Sequence, residues 1–185
     1  MNAIEIIGFI TAVLGIYLSA KKNIYAWPVL IISSLAYAYF FFEIKLYADT
    51  VLQFFFVGTS IFAWLNWKKN LQSTHQLSIK SLPFKWLMLF LLVTLVFGKI
   101  FGIFLTKYTD ASFAQYDSLL FAASLFASIL SAKLFLENWY IWIIVDLSYI
   151  ILYVLKEAYL TGFLYSILVA LAVLGLLEWR KQLNV

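Results

Sequence analysis

The chain has 185 residues, of which 65% are hydrophobic, 20% aromatic and only 12% charged, with a mean hydropathy of +0.96. Soluble domains are about 45–50% apolar and about 25% charged, so composition alone predicts a membrane protein. The absence of cysteine excludes disulfides, thiol catalysis and zinc–thiolate sites, and a single histidine, His75, gives no basis for a metal cluster or a histidine triad. The net charge of +4 is spread over the breaks between apolar runs, which is a topology signal and not a nucleic-acid-binding patch.

Seven apolar stretches approach the roughly 20 residues a helix needs to cross a hydrocarbon core. They run over 3–20, 24–42, 46–67, 84–105, 116–135, 138–155 and 159–178. The first carries Glu5 and no basic leader, so a secretory signal peptide is not expected. The second opens with Trp27-Pro28, where proline can kink the helix or open its first turn, and then offers Ser33, Ser34 and Tyr37. The third places Asp49, Gln53, Ser60, Trp64 and Trp67 at helical spacing on one stripe; the amide and hydroxyl can fix a ligand's orientation or serve as interhelical glue. A polar loop containing the solvated His75 follows, then a fourth, plainly apolar helix. Asp49 and Asp117 begin the third and fifth helices, where a carboxylate suits the helix dipole. Gly8, Gly15, Gly98, Gly102 and Gly175 read as close helix contacts, and no phosphate-binding loop is present.

The sixth stretch is the informative one. Asp146 lies near its middle, and Trp139, Trp142, Asp146, Tyr149 and Tyr153 recur at spacings of 3, 4, 3 and 4, one face of one helix. An acid at mid-membrane costs about 2.5–3.5 kcal/mol on insertion scales, so it should face the bundle interior or water and have a partner, which a tyrosine or serine of the bundle could also supply. A carboxylate walled by aromatic rings suits an aromatic organic cation, with about 0.5–2 kcal/mol per cation–π contact. Trp27, Trp67, Trp139 and Trp179 lie near one membrane boundary, as ligand contacts or as interfacial anchors.

Lysine and arginine divide nine to three between the two sides, with Lys99 inside the fourth helix, which predicts the N-terminus outside and the C-terminus in the cytoplasm. Weak identity recurs at a fixed distance: Trp67-Lys68-Lys69 with Trp179-Arg180-Lys181, Ser19-Ala20-Lys21 with Ser131-Ala132-Lys133, and Tyr47 with Tyr159, all 112 apart. "NIYAW" at 23–27 aligns with "NWYIW" at 138–142, 115 apart. The fold class expected is an all-α membrane protein of seven transmembrane helices in a 3+1+3 parallel-repeat, SWEET-like arrangement. Residues 1–69 form the first repeat; residues 70–115 the cytoplasmic loop, linker helix and outer loop; residues 116–185 the second repeat and a short tail.

Several segments resemble the PnuC-type vitamin transporters of bacteria: "IEIIGFITAVLGIYLSAK", "WPVLIIS", "LYADTVLQFFF", "AWLNW", "YDSLLFAASLFASILSAK", "ENWYIWIIVD", "YLTGFLY" and "GLLEWRK". They cover nearly the whole chain, and "LYA-x-x-x-LQ" and "ENW-x-x-W-x-x-x-[ND]" are the most specific. The resemblance implies a homotrimer in the bacterial inner membrane that moves a B-vitamin-like nutrient by facilitated diffusion, with trapping by a separate cytoplasmic kinase. It implies no cofactor, no enzymatic activity and no partners beyond the nutrient, lipid and further copies of the chain. By position, Gln53, Trp64, Trp67, Asn138, Trp139, Trp142 and Asp146 would line or brace a central pocket, to which the reading above adds Ser33, Ser60 and Tyr149. Ser33 stands where members often carry asparagine, and Leu30 where glycine is common. Nicotinamide riboside is the first expected cargo, thiamine the second; a vitamin-binding subunit of an ATP-driven importer is a more distant alternative.

Overall fold

The computed structural model describes residues 3–43, 47–108, 113–155 and 159–183; the side chains of 47–49, 74, 153 and 159–161 are also outside the description. The expectations placed on Asp49 and Tyr153 therefore lie outside the described residues. All named elements are helices: α1 (Ala3–Ala20), α2 (Ala26–Glu43), α3 (Tyr47–Thr74), α4 (Phe84–Tyr108), α5 (Ala114–Ala132), α6 (Glu137–Leu155) and α7 (Tyr159–Leu183). Pro28 falls in the first turn of α2, where its missing N–H deprives no helical carbonyl of a donor.

Several boundaries differ from the hydropathy reading: α2 begins at Ala26, α4 runs to Tyr108 and α7 to Leu183, and the ends of α3 and α5 differ for physical reasons. α3 runs on past Trp67 to Thr74, because helix propensity does not stop where the lipid does; His75, at φ 56, ends it with its N–H on Leu71 O at 3.0 Å. α5 stops at Ala132, not at 135, because the chain reverses through Leu134 at φ 64, and Phe135 N–H reaches back to Leu130 O at 3.0 Å. The helix-start reading of Asp117 is refined too. It sits within the first turn of α5, and Phe113 holds the N-cap position without a side-chain cap bond.

By length and composition α1, α2, α3, α4 and α7 can each cross a membrane. The other two are 19 residues each, about 28 Å of helix. Both bury polar side chains: Ser118, Ser124 and Ser131 on α5, Asn138 and Asp146 on α6.

Among the described residues, helix packing runs α1–α2–α3–α5–α6–α7 and closes from α7 back onto α1, a six-helix ring. α4 makes its close helix-to-helix approach to α5. Gly98 and Gly102 make that approach possible: a methyl at Gly98 would come 3.0 Å from Leu119 Cα and 3.2 Å from Ser118 O. This is the small-x-x-x-small contact of membrane helices.

The ends of the helices that gather the lysines hold the larger buried cluster, with Trp27, Trp67, Trp139 and Trp179 at its centre. Trp27 meets Trp67 edge-on at 5.0 Å and 90°, and Trp139 meets Trp179 edge-on at 5.4 Å and 88°; Trp67 and Trp179 join the pairs at 6.0 Å. A second cluster sits between α4, α5 and α6 around Phe126, Leu130, Ile141 and Val145.

Candidate functional site

Positions 112 residues apart share backbone geometry through the whole α1–α2 and α5–α6 connections. Lys22 at φ 56 answers Leu134 at φ 64. The bonds Lys22 N–Ser19 O, Asn23 N–Leu18 O and Ala26 N–Asn23 O are matched by Leu134 N–Ser131 O, Phe135 N–Leu130 O and Asn138 N–Phe135 O. This corrects the 115-residue alignment of "NIYAW" with "NWYIW": Trp27 corresponds to Trp139, not to Trp142, and no residues are inserted.

The same offset organises the tryptophans. Trp67 Nε1 donates to Ser131 O at 3.3 Å, and Trp179 Nε1 donates to Ser19 O at 3.3 Å. Each bond therefore runs from the third helix of one set to the end of the first helix of the other. These four indoles are 4% exposed or less, so none is an interfacial anchor, which would face lipid. Trp67 and Trp139 thus stand in a closed plug with Trp27 and Trp179. The indole N–H groups of Trp27 and Trp139 are buried without an acceptor.

Asp146 occupies the middle of α6, 4% exposed, and among the described residues no donor or cation pairs with its carboxylate. A polar group buried without a partner is costly, and an unpaired charge more so. One turn toward the plug, Trp142 packs against both buried clusters. One turn the other way, Tyr149 packs on the second cluster and stacks on Tyr165 of α7 at 4.7 Å and 30°. Acid, indole and stacked phenols are thus consecutive along α6, with α7 supplying the second ring.

The remaining candidates are dispersed around this core. Asn138 is fully buried and donates to Phe135 O at 2.7 Å, leaving its own Oδ1 without a donor. Ser60 is buried and Gln53 half-buried on α3. Trp64 is 40% exposed and stands at the edge of that stripe, outside both buried clusters. Ser33 is committed elsewhere: its hydroxyl donates to Gly8 O of α1 at 2.8 Å. Ser34, also buried, is the residue 112 before Asp146, so the α2 position corresponding to the acid is the neighbour of the one expected. Tyr165 is absent from the sequence-derived site, and Trp179 enters it only as one of the four boundary indoles. Applying the single 112 offset to Gln53 and Trp67 would have found both.

A helical bundle with a buried acid among aromatic rings fits a membrane transporter, and a sequence profile of the nicotinamide mononucleotide transporter family matches residues 2–181. The chain belongs to that family, and it is a multi-pass protein of the bacterial inner membrane. It is 27% identical over 205 residues to the nicotinamide riboside transporter PnuC of Escherichia coli K12, covering 97% of this chain and 85% of that one. The PnuC protein of Shigella flexneri matches equally. Among solved structures, the crystal structure of the vitamin B3 transporter PnuC superposes with a TM-score of 0.80 at 21% identity, over 98% of this chain and 82% of the other. The relatives are transporters, not enzymes.

Proposed function

We propose that this chain takes up nicotinamide riboside by facilitated diffusion, through alternating access of two parallel three-helix repeats, α1–α3 and α5–α7, linked by α4. The observation that carries the reading is Asp146, buried at mid-helix without a described protein partner and flanked by Trp142 and the Tyr149–Tyr165 stack. Nicotinamide riboside carries a permanent pyridinium charge on a flat ring. The carboxylate supplies its counter-charge and the rings its contact surface. Relatives named for this cargo favour it over thiamine, which has the same charge and aromatic character.

The repeat reading is supported by the matched backbone bonds at 112 residues and by the ring-like packing order. It makes all seven helices spanning, with α5 and α6 carrying their polarity inward. The excess of lysine on the plugged end supports a cytoplasmic position for that end. In this arrangement the cargo enters from the N-terminal side and pairs with Asp146. Separation of the Trp67–Ser131 and Trp179–Ser19 contacts, which both cross between repeats, opens the way inward. A separate cytoplasmic kinase then traps the product by adding a charged phosphate. The homotrimer expected from the family rests on α4, whose exposed apolar flank is free to meet lipid or another copy.

The test is uptake into liposomes containing this chain as the sole protein. Labelled nicotinamide riboside should equilibrate without ATP and be displaced by excess unlabelled compound. No uptake by the chain alone would return the importer-subunit alternative, and preferential uptake of thiamine would reassign the cargo.

A further inference from the structure

A polar pocket of about 370 Å³ opens at the lysine-rich end of the bundle, beside the tryptophan plug and apart from Asp146. Lys69, Lys80 and Lys133 line it together with Asn66, Asn70 and Phe135, and no acid is among its walls. Lys80 is fixed there by the backbone: its N–H donates to Leu134 O at 2.8 Å and its carbonyl accepts from Leu136 N–H at 2.9 Å. The amide of Asn66 is anchored on Ala132 O at 2.8 Å, and that of Asn70 on Asn66 O at 2.8 Å.

The region related by 112 residues shows what is unusual. There Glu178 takes Lys21 at 3.2 Å and Lys181 at 3.5 Å. The counterparts of Lys21 and Lys181 are Lys133 and Lys69, but the counterpart of Glu178 is Asn66. The same two cations are thus kept while their carboxylate is replaced by a neutral amide, and a third cation, Lys80, is added. Glu137, the nearest acid in sequence to the pocket walls, is already engaged by Ser81 Oγ at 2.7 Å and Leu82 N–H at 3.0 Å. Three lysines line one pocket with no carboxylate among its described walls, a charge balance that favours an anionic ligand, and Phe135 lines the same pocket.

We infer that this pocket binds a phosphate ester, with the phosphate among Lys69, Lys80 and Lys133 and the remainder of the ligand against Phe135. Lysine binds phosphate as a point charge, and three of them line the pocket. Two sources share this chemistry: a soluble mononucleotide and the headgroup of an anionic phospholipid. The inference rests on the pocket and its charge balance, and not on the cargo assigned to Asp146.

The experiment uses the purified full chain in neutral detergent and two probes. Adenosine monophosphate is titrated calorimetrically, with adenosine as the uncharged control, and native mass spectrometry measures retained phosphatidylglycerol. The variants are Lys69→Gln/Lys133→Gln and, independently, Asn66→Glu, which restores the carboxylate of the related region. Saturable binding of the monophosphate but not of adenosine, weakened about tenfold or more in both variants, identifies a nucleotide site. Retention of phosphatidylglycerol that both variants lose, without monophosphate binding, identifies a lipid site and equally supports the inference. Binding of neither probe, equal binding of adenosine, or binding unchanged in the lysine variant overturns it.

Discussion

Replacing both Trp67 and Trp179 by phenylalanine removes two indole N–H donors while keeping most of the ring surface that fills the plug. Each lost bond is long, at 3.3 Å, and the carbonyls of Ser131 and Ser19 still accept backbone N–H groups from Leu134 and Lys22. The expected loss is therefore at the low end for a hydrogen bond, about 0.5–1 kcal/mol each, in keeping with values near 0.6 for bonds between membrane helices. Positioned symmetrically, the two bonds together shift the closed-to-open balance by about 1–2 kcal/mol, a factor of about 5 to 30. The natural absence of cysteine supplies the assay. A single Ser60→Cys, buried at 6% exposure toward the middle of α3, reports access from the lysine-rich end to a membrane-impermeant thiol reagent. Labelling should accelerate by that factor in the double variant and by roughly its square root in each single variant. Equal labelling rates in all four proteins would refute the reading of these contacts as the latch.

Three further outcomes are expected. Gly175→Ala would bring a methyl to 2.5 Å from Cε2 and Cζ2 of Trp139, a buried ring with no room to retreat from Trp179, so overpacking should cost about 1–3 kcal/mol; thermal unfolding in detergent reads it as a lowered Tm, and an unchanged Tm would contradict the packing. Gly98→Ala meets backbone atoms of α5 and should loosen α4 by a similar 1–3 kcal/mol, seen as faster proteolysis or hydrogen exchange in α4. Tyr165→Leu removes the stacking partner of Tyr149 and should weaken nicotinamide riboside binding about 2- to 10-fold, the worth of one aromatic contact of about 0.5–1.5 kcal/mol; unchanged binding would place the stack outside the site.

Helix number and the placement of the acid were legible in the sequence because both follow from hydropathy along the chain. Depth in the membrane is a one-dimensional property, so the indoles near one boundary could be placed there from sequence. What a residue faces around its helix was not legible. Helices that are apolar on every side carry little periodic signal, so anchors at the lipid surface and a buried plug look alike. Trp27 and Trp179 show the consequence, since both are core residues. Ser33 shows the other: two adjacent serines differ only in azimuth, and the one nearer α1 bonds to Gly8 while Ser34 corresponds to Asp146. The register of the repeat resolves the serine case once Trp27 is aligned with Trp139, since the same offset pairs Ser34 with Asp146.

The most direct test of cargo recognition is equilibrium binding of nicotinamide riboside to Asp146→Asn, which keeps the shape of the side chain and removes its charge. Leaving a buried cation without its counter-charge costs about 3–5 kcal/mol, so affinity should fall by a factor of about 100 to several thousand while the variant still folds and assembles. Binding of the riboside to the asparagine variant within a few-fold of the parent would contradict the account.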